Sequence, residues 1–315
     1  MSQSNEILEA CKLKEDLLKK HEGQSLDEIL NGEIFKTPYG SCYKIEITEK
    51  LEMKTLDGKK AVSQILRDIK LIPGIGPIRE QLLINNGYKT INDLTDHPQY
   101  SQQATEFLNT IQESPDSLTN YICNRYSQSH PHLLLSSCLK ENSDYLFFDI
   151  ETLGLKDYPV ILMGMGRVTD DEITVKQYLL TDLEEEKAVL NCFLLDVDES
   201  TIFVSFNGRS FDLPFIKHRL RNYSVKTNLN NNHLDLLHFS RRNWSTQLPN
   251  CQLQTLEKHL FNLKRVDDVP SSLVPEFYKT YLQTGNIGPL IPIVEHNQQD
   301  IITLAMILSQ LREGI

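Results

Sequence analysis

Tyr145-Leu-Phe-Phe-Asp-Ile-Glu-Thr152 is an apolar run of strand type that ends in two carboxylates two residues apart. Side chains alternate along a strand, so Asp149 and Glu151 share one face of the sheet. Two acids side by side repel, and each raises the other's pKa unless a cation lies between them. Hard divalent ions such as Mg2+ and Mn2+ prefer carboxylate oxygen and could be that cation. On its own, an acid pair at a strand end also describes many solvated turns, so the rest of the chain has to decide.

Two further segments place acids in comparable settings. Thr201-Ile-Phe-Val-Ser-Phe-Asn-Gly208 reads as a strand, and Arg209-Ser-Phe-Asp-Leu-Pro-Phe-Ile216 then opens a helix in which Pro214 is tolerated in the first turn. Asp212 has an ordinary reading there as a helix cap, and acquires another only in the company of the other acids. Val294-Glu-His-Asn-Gln-Gln-Asp-Ile-Ile-Thr-Leu-Ala-Met-Ile-Leu308 reads as a core helix. His296 and Asp300, four residues apart, project from nearly the same side of it. A carboxylate in a helix that otherwise reads as buried is costly unless something compensates it. Strands alternate with helices from Tyr145 onward, and the expected fold class is α/β. Gly164-Met-Gly166 follows an apolar strand, but Thr169 stands at the third glycine position of a dinucleotide fingerprint, so a nucleotide-dependent dehydrogenase is not signalled.

The chain has 315 residues, 40% hydrophobic and 24% charged, with a net charge of −11. A protein this acidic does not coat nucleic acid by bulk electrostatics, so any phosphate binding must be local. Between residues 205 and 242, Arg209, Lys217, Arg219, Arg221, Lys226, Arg241 and Arg242 stand against two Asp. That excess reads equally well as a phosphate track and as a solvated face. The six cysteines show no spacing for zinc or a disulfide framework, which suits a reducing compartment. No segment reads as a signal peptide or a membrane span, and the expectation is a cytoplasmic protein with no membrane partner.

Upstream of the acid-bearing strand, residues 1–60 read as a helix followed by two short strands, Gly32 to Gly40 and Cys42 to Thr48. Residues 61–130 read as all-helical, and the Ser-, Pro-, His- and Asn-rich stretch from about 113 to 143 reads as a junction before an α/β domain over residues 143–315. In the helical zone, the glycines of Leu71-Ile-Pro-Gly-Ile-Gly-Pro77 let the chain reverse between two helices and leave the N–H groups of the second one free to hold phosphate. Gly74, Gly76 and Arg79 are the candidate contacts. Residues 62–96 resemble the helix-hairpin-helix module of DNA repair and recombination proteins; a tight αα-hairpin in a packed domain is the other reading. Residues 62–130 hold five Lys/Arg against seven Asp/Glu, so phosphate binding there would rest on amides rather than on a basic face.

The order Asp-x-Glu, Asn-x-x-x-Phe-Asp-x-Pro, His-x-x-x-Asp resembles the three exonuclease motifs of the DEDD superfamily, which includes the proofreading domains of family B DNA polymerases. It is most similar to the YprB-like, RNase H-like exonuclease family. The likeness extends to His233-Leu-Asp-Leu-Leu237, Leu253-Gln-Thr-Leu-Glu257, Val274-Pro-Glu-Phe-Tyr278 and Tyr281-Leu-Gln-Thr-Gly285, and so over most of residues 143–312. Gly32 to Ile47 is also similar to what precedes the nuclease domain in that family. The resemblance implies an RNase H-like mixed sheet with flanking helices, preceded by a small all-α helix-hairpin-helix domain. It implies a metal-dependent 3′→5′ exonuclease acting on nucleic acid, DNA rather than RNA, with two Mg2+ or Mn2+ ions held by Asp149, Glu151, Asp212 and Asp300. His296 would orient or deprotonate the attacking water, and Asn207 and Phe211 would contact the terminal nucleotide. Arg209, from the basic excess beside the second motif, is a further candidate nucleic-acid contact. The sequence departs from the usual pattern in one respect: DEDD enzymes carry His five residues, or Tyr four residues, before the last Asp, and His296 stands at the Tyr spacing. A non-catalytic nucleic-acid binding protein on the same fold, and an RNase or endonuclease on the same metal site, are the alternatives.

Overall fold

The computed structural model describes residues 3–266 and 268–315, with side chains of the first helix described from Leu8 onward. The chain divides into two compact units, one built from the segment up to Met53 with Asn142–Ile307, the other from Lys54–Glu141 with Leu308–Ile315.

In the first unit, α1 (Gln3–Lys20) and the short α2 (Leu26–Ile29) lead into a hairpin of β1 (Glu33–Thr37) and β2 (Gly40–Lys50). The second unit follows, with α3 (Gly58–Leu66), α4 (Pro77–Asn85), α5 (Ser101–Glu113), α6 (Pro115–Cys123) and α7 (Pro131–Ser137). The stretch read from sequence as a junction is therefore helical for much of its length. Ser114 caps α6 by accepting from the Ser117 N–H at 3.0 Å, His130 caps α7 by accepting from the His132 N–H at 3.2 Å, and Pro115 and Pro131 open the two helices. Ser, His and Pro here mark helix starts, because a first-turn proline has no N–H to waste and a polar side chain satisfies the exposed amides.

The chain then returns to the first unit with β3 (Tyr145–Thr152), β4 (Val160–Thr169), β5 (Glu172–Leu179), α8 (Glu186–Leu195), β6 (Ile202–Ser205), α9 (Asp212–Asn222) and β7 (His233–Asp235). Four helices complete it: α10 (Leu236–Trp244), α11 (Leu253–Leu260), α12 (Val274–Thr284) and α13 (Ile291–Glu313). The seven strands form one sheet in the order β1-β2-β5-β4-β3-β6-β7, antiparallel from β1 to β3 and parallel at β3–β6–β7. This is the mixed α/β sheet with flanking helices that the sequence reading expects. Alternation along β2 marks it as a strand but does not name its neighbour, and the structure supplies that: β2 pairs with β5 from Tyr43↔Leu179 to Lys50↔Glu172.

Two apolar layers cover the sheet. Leu146, Phe148 and Ile150 of β3 face a cluster with Val189, Phe193, Phe203, Phe215 and Ile216. On the other face Ile161, Leu162 and Leu179 pack with Phe277, Tyr278, Ile293 and Val294 of α12 and α13. The glycines of the incomplete dinucleotide fingerprint have a packing role here. A Cβ at Gly164 would stand 2.0 Å from Asn297 Oδ1, and one at Gly166 would stand 2.5 Å from Ile301 Cγ2. The two bare positions on β4 match the i, i+4 pair Asn297 and Ile301 and let α13 lie close against the sheet.

Candidate active site

The period of two along β3 places Asp149 and Glu151 on the face that meets α13, opposite the face of Phe148 and Ile150. The close approach of α13 brings the Asn297 amide within 2.9 Å of Asp149 Oδ2, to which it donates. It also sets His296 Nε2 3.9 Å from Glu151 Oε1 and 3.6 Å from Asp300 Oδ2. Asp212 arrives from a third element. It is the first residue of α9, and its Oδ1 accepts the backbone N–H of Ile150 at 3.2 Å, which ties the helix start to the acid-bearing strand. Asp149, Glu151, Asp212, His296 and Asp300 thus line one cleft of about 510 Å3, together with Asn207 and Phe211.

Burial and mutual repulsion dominate the electrostatics. Burial raises the pKa of Asp149 well above the usual carboxylate range, and Asp212, Asp300 and Glu151 add to the shift. Glu151 is raised for the same reasons, by burial first and then by Asp300 and Asp212. Asp212 is pushed up to about 7 by burial, against the lowering effect of its backbone hydrogen bonds. Burial also raises Asp300, but His296 and Arg265 pull in the opposite direction. For His296, burial favours the neutral ring, and the hydrogen bond to Asp268 with the charges of Asp300 and Asp268 outweighs it, so its pKa rises.

Arg265, Glu257, Asp268 and Asn297 are the site residues that sequence reasoning did not single out. Arg265, in the loop after α11, donates through Nε and Nη2 to the buried Glu257 at 2.8 and 2.5 Å, and through Nη2 to Asp300 Oδ1. Glu257 also accepts from the Thr303 hydroxyl at 2.7 Å. Asp268 Oδ1 lies 2.6 Å from His296 Nδ1. Asp268, held below the usual carboxylate range, accepts from Nδ1–H, while Arg265 Nη1 also lies 3.1 Å from Nδ1, and Nε2 faces Glu151 and Asp300. The only sequence signals were the Leu253 to Glu257 likeness and the position of Asn297 next to His296; Arg265 and Asp268 lie in an irregular loop with no periodicity.

The nucleic-acid contacts expected from sequence fall in several places. Asn207, with φ of +66°, is held at the cleft edge by its N–H donating to Asp235 at 2.8 Å. Phe211 packs at a tilt against Phe215, with ring centroids 5.5 Å apart, and lines the cleft. Arg209 donates through Nη1 to the His233 carbonyl at 3.0 Å. Asp235 holds the loop after β6 and caps α10, accepting from the N–H groups of Arg209 and Leu237, so its place is structural. Gly74, Gly76 and Arg79 lie in the other unit. Gly74 has φ of +88°, Gly76 precedes α4 with no side-chain cap, and Arg79 Nη1 donates to the Gly74 carbonyl at 2.7 Å.

Among the described residues no three His, Cys, Asp or Glu side chains are gathered closely enough to hold a metal ion as they stand. The acids line the cleft with oxygens turned to Asn297, Arg265 and a backbone amide. Their chemistry nonetheless suits a divalent cation, since burial and mutual repulsion raise the pKa of each carboxylate, and a cation among their oxygens would offset both.

A family model described as the RNase_H superfamily matches residues 146–312, just over half of the chain. The chain therefore belongs to the RNase_H superfamily, whose members are typically nucleases that use divalent metal ions such as Mg2+. Among curated proteins it is 31% identical over 195 residues to the uncharacterized protein YprB of Bacillus subtilis (strain 168), which covers 60% of this chain and 47% of that protein. The chain thus spans about half the length of this relative. Among solved structures, the family B DNA polymerase of the hyperthermophilic archaeon Pyrobaculum calidifontis matches with a TM-score of 0.42 and 16% identity, over 53% of this chain and 24% of that one. No helix among the described residues is long and apolar enough to cross a membrane.

Proposed function

We propose that the chain is a metal-dependent 3′→5′ exonuclease that hydrolyses phosphodiester bonds of nucleic acid, DNA in preference to RNA. One observation carries this reading. Four carboxylates from three separate elements, with a histidine beside them, line a single cleft, where burial and their mutual repulsion raise their pKa values. Burying four acids side by side is costly unless protons or a cation compensate them, and a divalent cation is the partner that carboxylate oxygen prefers. Asp149, Glu151 and Asp300 would hold two Mg2+ or Mn2+ ions, with Asp212 completing the set. Bound there, such ions supply Lewis acidity at the attacking and leaving oxygens of an in-line displacement.

The chain's own residues do the rest. His296, its ring orientation set by Asp268, presents Nε2 to the cleft and receives or orients the proton of the attacking water. Phe211 offers an aromatic surface to the terminal base, and Asn207, exposed at the cleft edge, offers an amide to the terminal sugar or phosphate. In the other unit, the uncapped α4 start behind Gly76 would bind duplex backbone through its amides, as the helix-hairpin-helix resemblance suggests.

The test is incubation of 5′-labelled single- and double-stranded DNA and RNA with Mg2+ or Mn2+, comparing wild type with Asp149→Ala. A ladder shortening from the 3′ end, abolished in the variant, is expected. No ladder on any substrate, or a variant equal to wild type, would replace this reading with that of a non-catalytic binding protein; internal cuts would replace it with an endonuclease.

A further inference from the structure

The seven cations between residues 205 and 242 are not equivalent in the fold, and their sorting exposes a second site. Arg219 is locked in a buried pair with Glu186, at 2.5 Å from Nη2 to Oε2, and Arg209 is turned to the His233 carbonyl. Arg241 and Arg242 sit in the last turn of α10. The other three, Lys217, Arg221 and Lys226, line one open groove of about 670 Å3 that contains no acidic residue. Its floor is apolar, from Pro214, Val225 and Leu229.

Local backbone geometry builds the groove. After α9 the chain reverses at Ser224, with φ of +55°, and Val225 N–H donates to the Leu220 carbonyl at 3.0 Å, which folds the segment carrying Lys226 back beside the helix. Arg221 donates Nε to the Lys217 carbonyl at 3.2 Å. The ion pairs formed by this helix belong to its other residues, His218 with Asp157 and Arg219 with Glu186. Lys217 is held below the usual lysine range by burial alone, with no carboxylate to offset it. In a chain of net charge −11, three uncompensated cations around a concave apolar floor form a local anion site.

The groove shares no lining residue with the cleft, but the two border the same helix. Pro214 lies on its wall, two residues after Asp212 on the same helix. From Asp212 to Arg221 an α-helix rises about 14 Å, the span of roughly two nucleotides of extended strand. We propose that this groove is the track for the single strand that leads into the cleft, with Lys217, Arg221 and Lys226 on successive phosphates and the apolar floor beneath the sugars and bases. The proposal rests on the exonuclease reading for its direction: with the 3′ end in the cleft, the groove takes the nucleotides on its 5′ side.

The experiment measures binding of the full chain to labelled oligodeoxythymidine in Ca2+, across a salt series, for wild type and the triple variant K217A/R221A/K226A. The control K12A/K19A/K20A removes the same charge from exposed positions of α1. We expect the groove variant to lose affinity on the order of tenfold or more, and its slope of log affinity against log salt to become shallower by about 2, roughly 0.7 for each phosphate contact. The α1 control should bind as wild type does. Hydrolysis of a small substrate, the p-nitrophenyl ester of thymidine 5′-monophosphate, should be unchanged in the groove variant, since that ester does not reach the groove; this also shows that the variant is folded. Unchanged affinity and slope, or equal losses in both variants, overturn the proposal. So does tight binding to vesicles containing phosphatidylserine with none to the oligonucleotide. If wild type hydrolyses neither substrate, the exonuclease reading fails while the binding series still judges the groove.

Discussion

The two sides of the acid cleft compensate their carboxylates in opposite ways. Asp149 and Asp212 meet neutral donors, the Asn297 amide and the Ile150 N–H. Glu151 and Asp300 lie beside His296, and Asp300 is bonded to Arg265. A buried carboxylate answered only by neutral dipoles stays ionised poorly, whereas one beside a guanidinium can keep its charge. On the proposed reading the first side takes its cation from outside, whereas the second carries part of its own. A site divided in this way can fold without metal and still favour its arrival.

The largest effect should come from breaking the first side. Asp149→Asn should reduce hydrolysis on the order of a thousandfold. It should not lower, and should slightly raise, the melting temperature of the metal-free protein, because one of four repelling acids is removed. Activity near wild type, or a clear fall in melting temperature, would contradict the assignment. Breaking the second side should do the reverse to stability. Arg265→Ala leaves the buried Glu257 without its guanidinium partner and should cost about 3 kcal/mol or more in urea unfolding, as loss of one member of a buried ion pair does. Adding Glu257→Gln should restore part of that loss in a double-mutant cycle. A loss below about 1 kcal/mol would show that Arg265 is not the counterion of this side.

The contrast also predicts a pH dependence. Asp149, Glu151, Asp212 and Asp300 all have folded pKa values above their ordinary ones, so each adds stability that is full below the unfolded value and lost as pH rises through the folded one. His296 is raised too and acts with the same sign. For Asp212 the window runs from its ordinary value of 3.8 to about 7. The metal-free protein should melt lower at pH 8 than at pH 6, and Mn2+ should raise the melting temperature more at pH 8, by on the order of 5 °C, because it competes with protons for the same oxygens. An equal increment at both pH values would mean that the ions bind elsewhere. The smallest effect should come from the other unit. Nothing lies within 4 Å of a Cβ built at Gly76, so Gly76→Glu is sterically accommodated and acts through charge alone. It should weaken duplex binding by about 1 kcal/mol and leave cleavage of short oligonucleotides unchanged; unaltered duplex affinity would return the hairpin to a purely structural role.

Much of the site was legible because its spacing is local. A period of two places Asp149 and Glu151 together, and a spacing of four places His296 with Asp300; neither needs any knowledge of distant contacts. Gly164 and Gly166 were legible as unusual, but their purpose was not, since the side chains they make room for lie more than a hundred residues further along the chain. The Ser-, Pro-, His- and Asn-rich stretch before Asn142 reads as a junction, but its helices were not legible there, because the residues that punctuate loops also start helices and only the following hydrogen bonds tell the two apart.

By itself the sequence determined which residues are acids, which strand and helices carry them, and which way each points within its own element. Tertiary structure alone decided that these elements converge on one cleft, that β1 and β2 extend the same sheet, that Arg265 and Glu257 answer Asp300, and that three of seven neighbouring cations are left uncompensated at one groove. Periodicity is a property of a single segment and can be read along the chain. Charge compensation depends on which segments pack side by side, and residues 257, 265 and 300 share a network only because the fold brings α11, its following loop and α13 together.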